Sequence, residues 1–353
     1  MTQIKFGTDG WRAIIAKDYT VENVARVAEA TAAWLLKLSK KPSVVIGYDP
    51  RFGGKLFAET TCKVLSHHGI KTYMSKNFSS TPMVSLATVK LNANLGIVIT
   101  ASHNPPAYNG FKLKGAYGGP LLPEKIEEIE KLIPKTVKFD FESINIEEVE
   151  NKKLLEYVDF EDMYINHIEE HFDLDAIRNS GIRVGYDAMY GAGQNVMRRL
   201  FPDSVLLHCE NNPSFHGQAP EPIHKNLQEF SELIKNTGII DCGIATDGDA
   251  DRIGLYDDRG NFVDSHHLIL LLIKYLYEHR NMRGKVVTAF SVSPKVNRMC
   301  EFYKLEQKVT KIGFKHIASH MVSDDVLLGG EESGGIAIKG HIPERDGIWI
   351  GLT

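Results

Sequence analysis

Ser102 lies in the run VITASHNPPAYNGFK (residues 98–112), after a short apolar stretch and ahead of Asn, Pro and Gly residues that can only form a loop. A hydroxyl at a strand end, with His103 beside it and Lys112 following, points to a reactive role rather than a packing one. In TDGDADR (246–252), Asp247, Asp249 and Asp251 alternate with Gly248 and Ala250. Three carboxylates on so tight a loop converge on one hard cation, and Mg2+ or Ca2+ suits oxygen donors of this kind. A calcium-hand loop requires Gly at its sixth position and Glu at its twelfth, where this chain has Arg252 and Asp258, and it does not follow a strand. Arg252 beside a metal fits a phosphate better. GGEESGG (329–335) sets Glu331 and Ser333 between glycines, where a carboxylate and a hydroxyl can bind the vicinal hydroxyls of a sugar. Arg12, in FGTDGWR, is a further phosphate candidate. Taken singly, these runs have plainer readings: a solvated acidic turn, a flexible surface turn, the start of a strand.

The elements that must position these loops are legible as a pattern. SVVIGYD, LGIVITA, IRVGYDA, CGIATDG, KVVTAFSV and VLLGG are short apolar runs alternating with helix-periodic stretches, which predicts α/β layers with sheets covered on both faces. GYDPRFG (47–53) recurs as GYDAMYG (185–191). Gly96-Ile97 leads to Ser102 much as Gly243-Ile244 leads to Asp247, so duplicated domains are expected. The charged, strand-poor stretch from Pro123 to Phe160 carries the first boundary and Arg252 precedes the second. The expected domains are therefore residues 1–150, 151–252 and 253–353, bearing the serine, aspartate and sugar loops in turn.

Several classes of function are disfavoured. A net charge of −4 gives no electrostatic case for nucleic acid or an anionic membrane, and no apolar run approaches the length of a membrane span. The N-terminal residues lack a signal-peptide core, and four scattered cysteines without a C-x-x-C pair suggest reduced thiols, so a cytoplasmic setting is expected. No G-x-x-x-x-G-K-[ST] run exists. Gly191-Ala-Gly193, with Glu210 downstream, hints at a dinucleotide fold, but Val196 occupies the third glycine position.

TASHNP followed by NGFK, DGDADR and GEESGG, together with FGTDGWR, TPMVSLA and KIGFKHI, resemble the signature loops of the α-D-phosphohexomutases, and they occur in that family's order from residue 6 to residue 335. The resemblance implies an intramolecular phosphotransferase interconverting hexose 1- and 6-phosphates through a phosphoserine and a bound 1,6-bisphosphate. Ser102 would carry the phosphoryl group, and Mg2+ would be held by Asp247, Asp249, Asp251 and a phosphoserine oxygen. A phosphoserine adds roughly −1.5 to −2 charges, which the three aspartates alone would repel. Lys112 and Arg12 would assist proton handling and phosphoryl stabilisation, with His103 next to the nucleophile. Arg252 would hold the transferring group. Glu331 and Ser333 would bind sugar hydroxyls, and Gly313, Phe314 and Lys315 would contact the sugar near its anomeric end. Glucose 1,6-bisphosphate is the implied activator, and the partners are small hexose phosphates.

Trp11 and the Phe111-Lys112 pair are similar to the glucose and mannose branches, with phosphoglucosamine mutases as the nearest alternative and a non-catalytic sugar-phosphate-binding remnant as another. Gly335 stands where some relatives carry a His, so no proton role is assigned there. The family has four domains. The resemblance reaches only three, and no SGTEP-like phosphate loop follows RDGIWIGLT, so the expected fold is three similar α/β domains with mixed sheets in series, the fourth C-terminal domain absent, and turnover is expected to be slow.

Overall fold

The computed structural model describes residues 3–353. The first unit runs β1 (Trp11–Ile14), α1 (Val21–Leu38), β2 (Ser43–Tyr48), α2 (Gly54–His67), β3 (Lys71–Ser75), α3 (Thr81–Lys90), β4 (Leu95–Ile99), β5 (Tyr108–Gly115), α4 (Pro123–Glu130), α5 (Ile146–Asn151) and β6 (Leu155–Val158). The second runs α6 (Phe160–His171), α7 (Leu174–Arg178), β7 (Val184–Asp187), α8 (Gln194–Leu200), β8 (Val205–Leu207), α9 (Gln228–Thr237), β9 (Cys242–Thr246), β10 (Ile253–Tyr256) and β11 (Phe262–Val263). The third holds α10 (Ser265–Glu278), β12 (Lys285–Ala289), α11 (Lys295–Tyr303), β13 (Gln307–Thr310), α12 (Phe314–Ser323), β14 (Val326–Gly330), β15 (Ile336–Ile338) and α13 (Gly347–Leu352).

All six apolar runs singled out in the sequence are strands: β2, β4, β7, β9, β12 and β14. Each has a parallel partner and is covered by helices, which is why its residues read as a continuous apolar run rather than an alternating one. β4 is the clearest case, with Leu95, Ile97, Val98 and Ile99 all fully buried.

The three sheets are mixed, in the orders β1-β5-β4-β2-β3-β6, β11-β10-β9-β7-β8 and β13-β12-β14-β15. They share one device. In each, a parallel strand is followed at once by an antiparallel neighbour: β4 by β5, β9 by β10, β14 by β15. The connection between the two carries, in turn, Ser102, the three aspartates and Glu331. A strand that reverses beside its predecessor leaves its loop at the carboxyl end of the parallel strands, where open α/β sheets bind ligands.

The hydrogen bonding moves both expected boundaries. β6 pairs in parallel with β3, so the first sheet extends past residue 150 to Val158; a short, polar-spaced edge strand inside a charged stretch gave no apolar run to detect. β10 and β11 belong to the second sheet, which therefore continues past Arg252 to Val263. α13, expected in the third domain, packs on β15 of the third sheet and also on β9 and β10 of the second, where Gly351 lies so close to Ile244 that a Cβ would meet that side chain at 3.0 Å.

Local chemistry explains the helices nearest the site. Thr20 caps α1 by accepting from the Asn23 amide, and Ser80 caps α3 by accepting from Met83. α3 is buried from Thr81 to Thr88 and packs against α6, joining the first unit to the second. One hydrophobic core lies within the first unit. A second runs continuously from the α3 face through the second and third units to Trp349.

Candidate active site

The Ser102 loop is held by a buried ion pair that the sequence reading used only as half of a repeat. Asp49, at the end of β2, bonds Arg51 Nε at 2.9 Å and accepts from Thr100 Oγ1 at 2.5 Å. Arg51 in turn donates to the carbonyls of Ser102, Asn104, Pro105 and Tyr108. One guanidinium thus satisfies four loop carbonyls that burial would otherwise leave unpaired. Thr100 Oγ1 also accepts from the Ser102 amide at 2.8 Å. So restrained, Ser102 sits in the left-handed region at φ 52° and is fully buried. A non-glycine residue held there marks a conformation that the surroundings impose, of the kind that clusters at functional sites.

The acidic loop approaches from the second unit. Asp247 Oδ1 accepts from the amides of Asp251 (2.9 Å) and Arg252 (3.1 Å), closing the turn around Ala250 at φ 55°. At Gly248 an added Cβ would lie 2.6 Å from the Ser102 carbonyl oxygen, so only glycine permits the two loops this approach. The result is direct contact: Ser102 Oγ donates to Asp247 Oδ2 at 2.6 Å. Lys112, from β5, places its ammonium 2.7 Å from Asp249, 3.0 Å from Asp251 and 2.7 Å from Asp9. Thr81 Oγ1 donates to Asp249 at 2.5 Å.

Asp247, Asp249 and Asp251 are completely buried, and a ligand atom from each lies within 4.8 Å of the others. Their electrostatics are divided. Burial, reinforced by Asp249 and Asp251, pushes Asp247 well above the usual carboxylate range. Burial acts on Asp249 in the same sense, but Lys112 and Thr81 overcome it and hold that carboxyl low. Asp249 Oδ1 and Asp251 Oδ1 are buried with no hydrogen-bond partner. Two orphaned carboxylate oxygens beside a third carboxyl whose ionisation the cluster opposes are what a hard divalent cation satisfies, so the residues present fit Mg2+.

Sequence reading missed two members of this cluster. Arg345 Nη2 reaches Asp251 at 2.5 Å and Asp9 at 2.6 Å, and Asp9 pairs with Lys112 and Arg12 as well. Asp9 lies inside the FGTDGWR run, and Arg345 inside RDGIWIGLT, but neither run carries a pattern that announces a partner hundreds of residues away.

The remaining candidates assemble around these. Arg12 donates to Asn104 at 2.7 Å, tying β1 to the serine loop. His103 Nδ1 lies 3.4 Å from Ser102 Oγ; burial, then Arg252, Arg12 and Lys112, lower its pKa to about 2, so the ring is neutral. Arg252 bonds Glu221 at 3.4 Å and keeps a buried, unpartnered Nε. Glu331 accepts from the Gly313 amide at 2.8 Å and lies 4.0 Å from Arg345, so the Gly313 and Glu331 loops form one surface with Ser333 on the same turn. Lys315 reaches the Gly7 carbonyl at 3.2 Å. The Phe314 ring is buried, with the Arg345 guanidinium over it at 5.3 Å.

Loops from three successive α/β units linked through one network of buried charges restrict the choice of family. Models of phosphoglucomutase/phosphomannomutase α/β/α domains I, II and III match residues 3–139, 162–260 and 264–353. The phosphoglucosamine/phosphogalactosamine mutase of Sulfurisphaera tokodaii is 33% identical over 352 residues, covering 97% of this chain and 74% of its own length. The chain belongs to the phosphohexomutase family. The phosphoglucomutase/phosphomannomutase of Thermococcus kodakarensis is 30% identical, again over 97% of this chain and 74% of the relative. Among solved structures, a protein described as a putative phosphomannomutase from Thermus thermophilus superposes with a TM-score of 0.89 at 34% identity, covering 99% of this chain and 79% of its own. No helix among the described residues is long and apolar enough to cross a membrane.

Proposed function

We propose that this phosphohexomutase interconverts hexose 1-phosphates and hexose 6-phosphates, of glucose and/or mannose, by way of a phosphoserine at Ser102 and a bound 1,6-bisphosphate. The observation that carries the reading is the 2.6 Å contact of Ser102 Oγ with Asp247, beside two carboxylate oxygens that have no partner.

Asp247, Asp249 and Asp251 would hold a divalent ion, Mg2+ by preference, with an oxygen of the phosphoserine. When bound, that ion supplies neutralisation of the charge on the transferring group. The chain's own residues do the rest. The free sugar hydroxyl attacks the phosphorus of phosphoserine, the bond from phosphorus to Ser102 Oγ breaks, and the proton given up by the sugar hydroxyl ends on Ser102 Oγ, so that one ester forms as the other is lost. The bisphosphate then presents its other phosphate, and Ser102 Oγ attacks in the reverse sense. Lys112 acts in this scheme as a fixed positive charge. Burial tends to lower its pKa, but Asp249, Asp251 and Asp9 together raise it and favour the ammonium. Arg252, with its free Nε, meets the phosphoryl oxygens, and Arg12 steadies the serine loop. Glu331, Ser333 and the Gly313–Lys315 loop present acceptors and donors to the sugar hydroxyls in either orientation.

A phosphoglucosamine mutase is the second reading, favoured by the name of the Sulfurisphaera tokodaii relative. Trp11 and Phe111 cannot arbitrate by contact, since they pair across β1 and β5 and are buried in the first core. Coupled assays with glucose 1-phosphate, mannose 1-phosphate and glucosamine 1-phosphate test the assignment. Turnover of glucosamine 1-phosphate alone would transfer it to the second reading, and none with any sugar would remove both.

A further inference from the structure

We propose that His167, Glu170 and His171 of α6 form a second cation site, specific for one transition-metal ion of the zinc class and separate from the acidic loop. The three residues occur as H-x-x-E-H, and side chains three and four positions apart share one face of a helix. A ligand atom from each lies within 4.8 Å of the others.

The hydrogen bonds around them decide which atoms carry lone pairs. Asp346 is buried and accepts from His341 Nε2 at 2.9 Å, from Tyr164 and from the Trp349 amide. With its proton on Nε2, the His341 ring offers Nδ1 as an acceptor, and His167 Nε2 faces it at 3.4 Å. His167 therefore has its proton on Nε2 and a lone pair on Nδ1. That Nδ1 is buried without a hydrogen-bond partner, on a residue only 9% exposed, and it faces Glu170 Oε2 at 3.9 Å. His171 is fixed independently: its Nδ1 donates to the His167 carbonyl at 2.8 Å, leaving Nε2 free to ligate. Metal-ligating histidines are commonly oriented in this way, by a hydrogen bond from the other ring nitrogen to a carboxylate or carbonyl.

The surroundings hold the donors ready. Trp349 stacks on His341 at 3.8 Å and on His167 at 5.2 Å, fixing both ring planes. Among the described residues the competing contact is the exposed Lys90–Glu170 pair at 3.6 Å, of a kind worth little and easily exchanged. Two imidazoles and one carboxylate suit Zn2+ with a fourth position open, whereas Mg2+ prefers oxygen donors throughout. His171 also lines a cavity of about 490 Å³ with Tyr275, Arg280 and Trp349, which gives an ion a route in.

The test is titration of the purified chain with Co2+, in excess Mg2+ so that the acidic loop is occupied, reading the visible bands of low-coordinate cobalt. One equivalent should bind, Zn2+ should displace it, and added Mg2+ should not. His171→Ala, at an exposed position that will not disturb folding, should weaken binding at least tenfold, and Glu170→Gln should weaken it too. Equal Co2+ affinity in the wild-type and His171→Ala chains, absence of the bands, or displacement by Mg2+ would each overturn the site.

Discussion

Arg345 Nη2 lies 2.5 Å from Asp251 Oδ2, joining the loop that follows β15 to the acidic loop that follows β9. The same nitrogen holds Asp9 at 2.6 Å, so one guanidinium binds carboxylates of the first and second units. Removing one partner of a buried ion pair costs more than the pair contributes, because the abandoned charge stays out of water. Arg345→Met is expected to destabilise the chain by roughly 3–5 kcal/mol, and Arg345→Lys by less. Urea unfolding followed by fluorescence measures both. Equal midpoints for Arg345→Met and the wild type would mean that Lys112 alone neutralises the two aspartates.

Ser102→Ala should fold normally yet take up no phosphate. Incubating both chains with glucose 1,6-bisphosphate and mapping phosphate by mass spectrometry checks this. Label retained in the alanine variant would place the carrier elsewhere.

Asp249→Asn deletes one formal charge and weakens the contacts to Lys112 and Thr81 at the same carboxylate. Magnesium affinity, read by calorimetry, should fall at least tenfold, with mutase activity falling in step. An unchanged affinity would remove Asp249 from the ligand set.

Asp49 offers a test by pH. Burial and the nearby Asp249 raise its pKa from 3.8 to about 6, against the opposing pull of Arg51 and Thr100. Between those values the folded chain holds the proton more tightly than the unfolded one, so stability falls as pH rises through this window. A rise of that size corresponds to ~3 kcal/mol. Asp49→Asn lacks this slope. Unfolding of both chains between about pH 4 and pH 6.5 should show the wild type losing ground to the variant as pH increases, and a constant difference would contradict the assignment.

What the sequence disclosed, and what it withheld, follows from the range of the interactions. β2, β4, β7, β9, β12 and β14 announce themselves because burial on both faces makes each a local apolar run. Ser102 and the three aspartates were legible for a related reason: tight loops between reversing strands concentrate Gly, Asn, Pro and Asp in a few positions. Arg51, Asp9 and Arg345 were not, because each acts through a partner or a carbonyl set that only folding supplies.

The separations along the chain carry a consequence for how the protein is made. Asp9 and Arg345 stand 336 residues apart, Ser102 and Asp247 145 apart. Contacts of such range form late, since the loop entropy they close must be met first. During synthesis the acidic loop leaves the ribosome well before Arg345, so until Arg345 emerges Asp251 and Asp9 have Lys112 but not that guanidinium to face them. In refolding, helical circular dichroism should accordingly recover before the ability to bind magnesium or accept phosphate, and an arrested chain ending before residue 345 should show secondary structure without either.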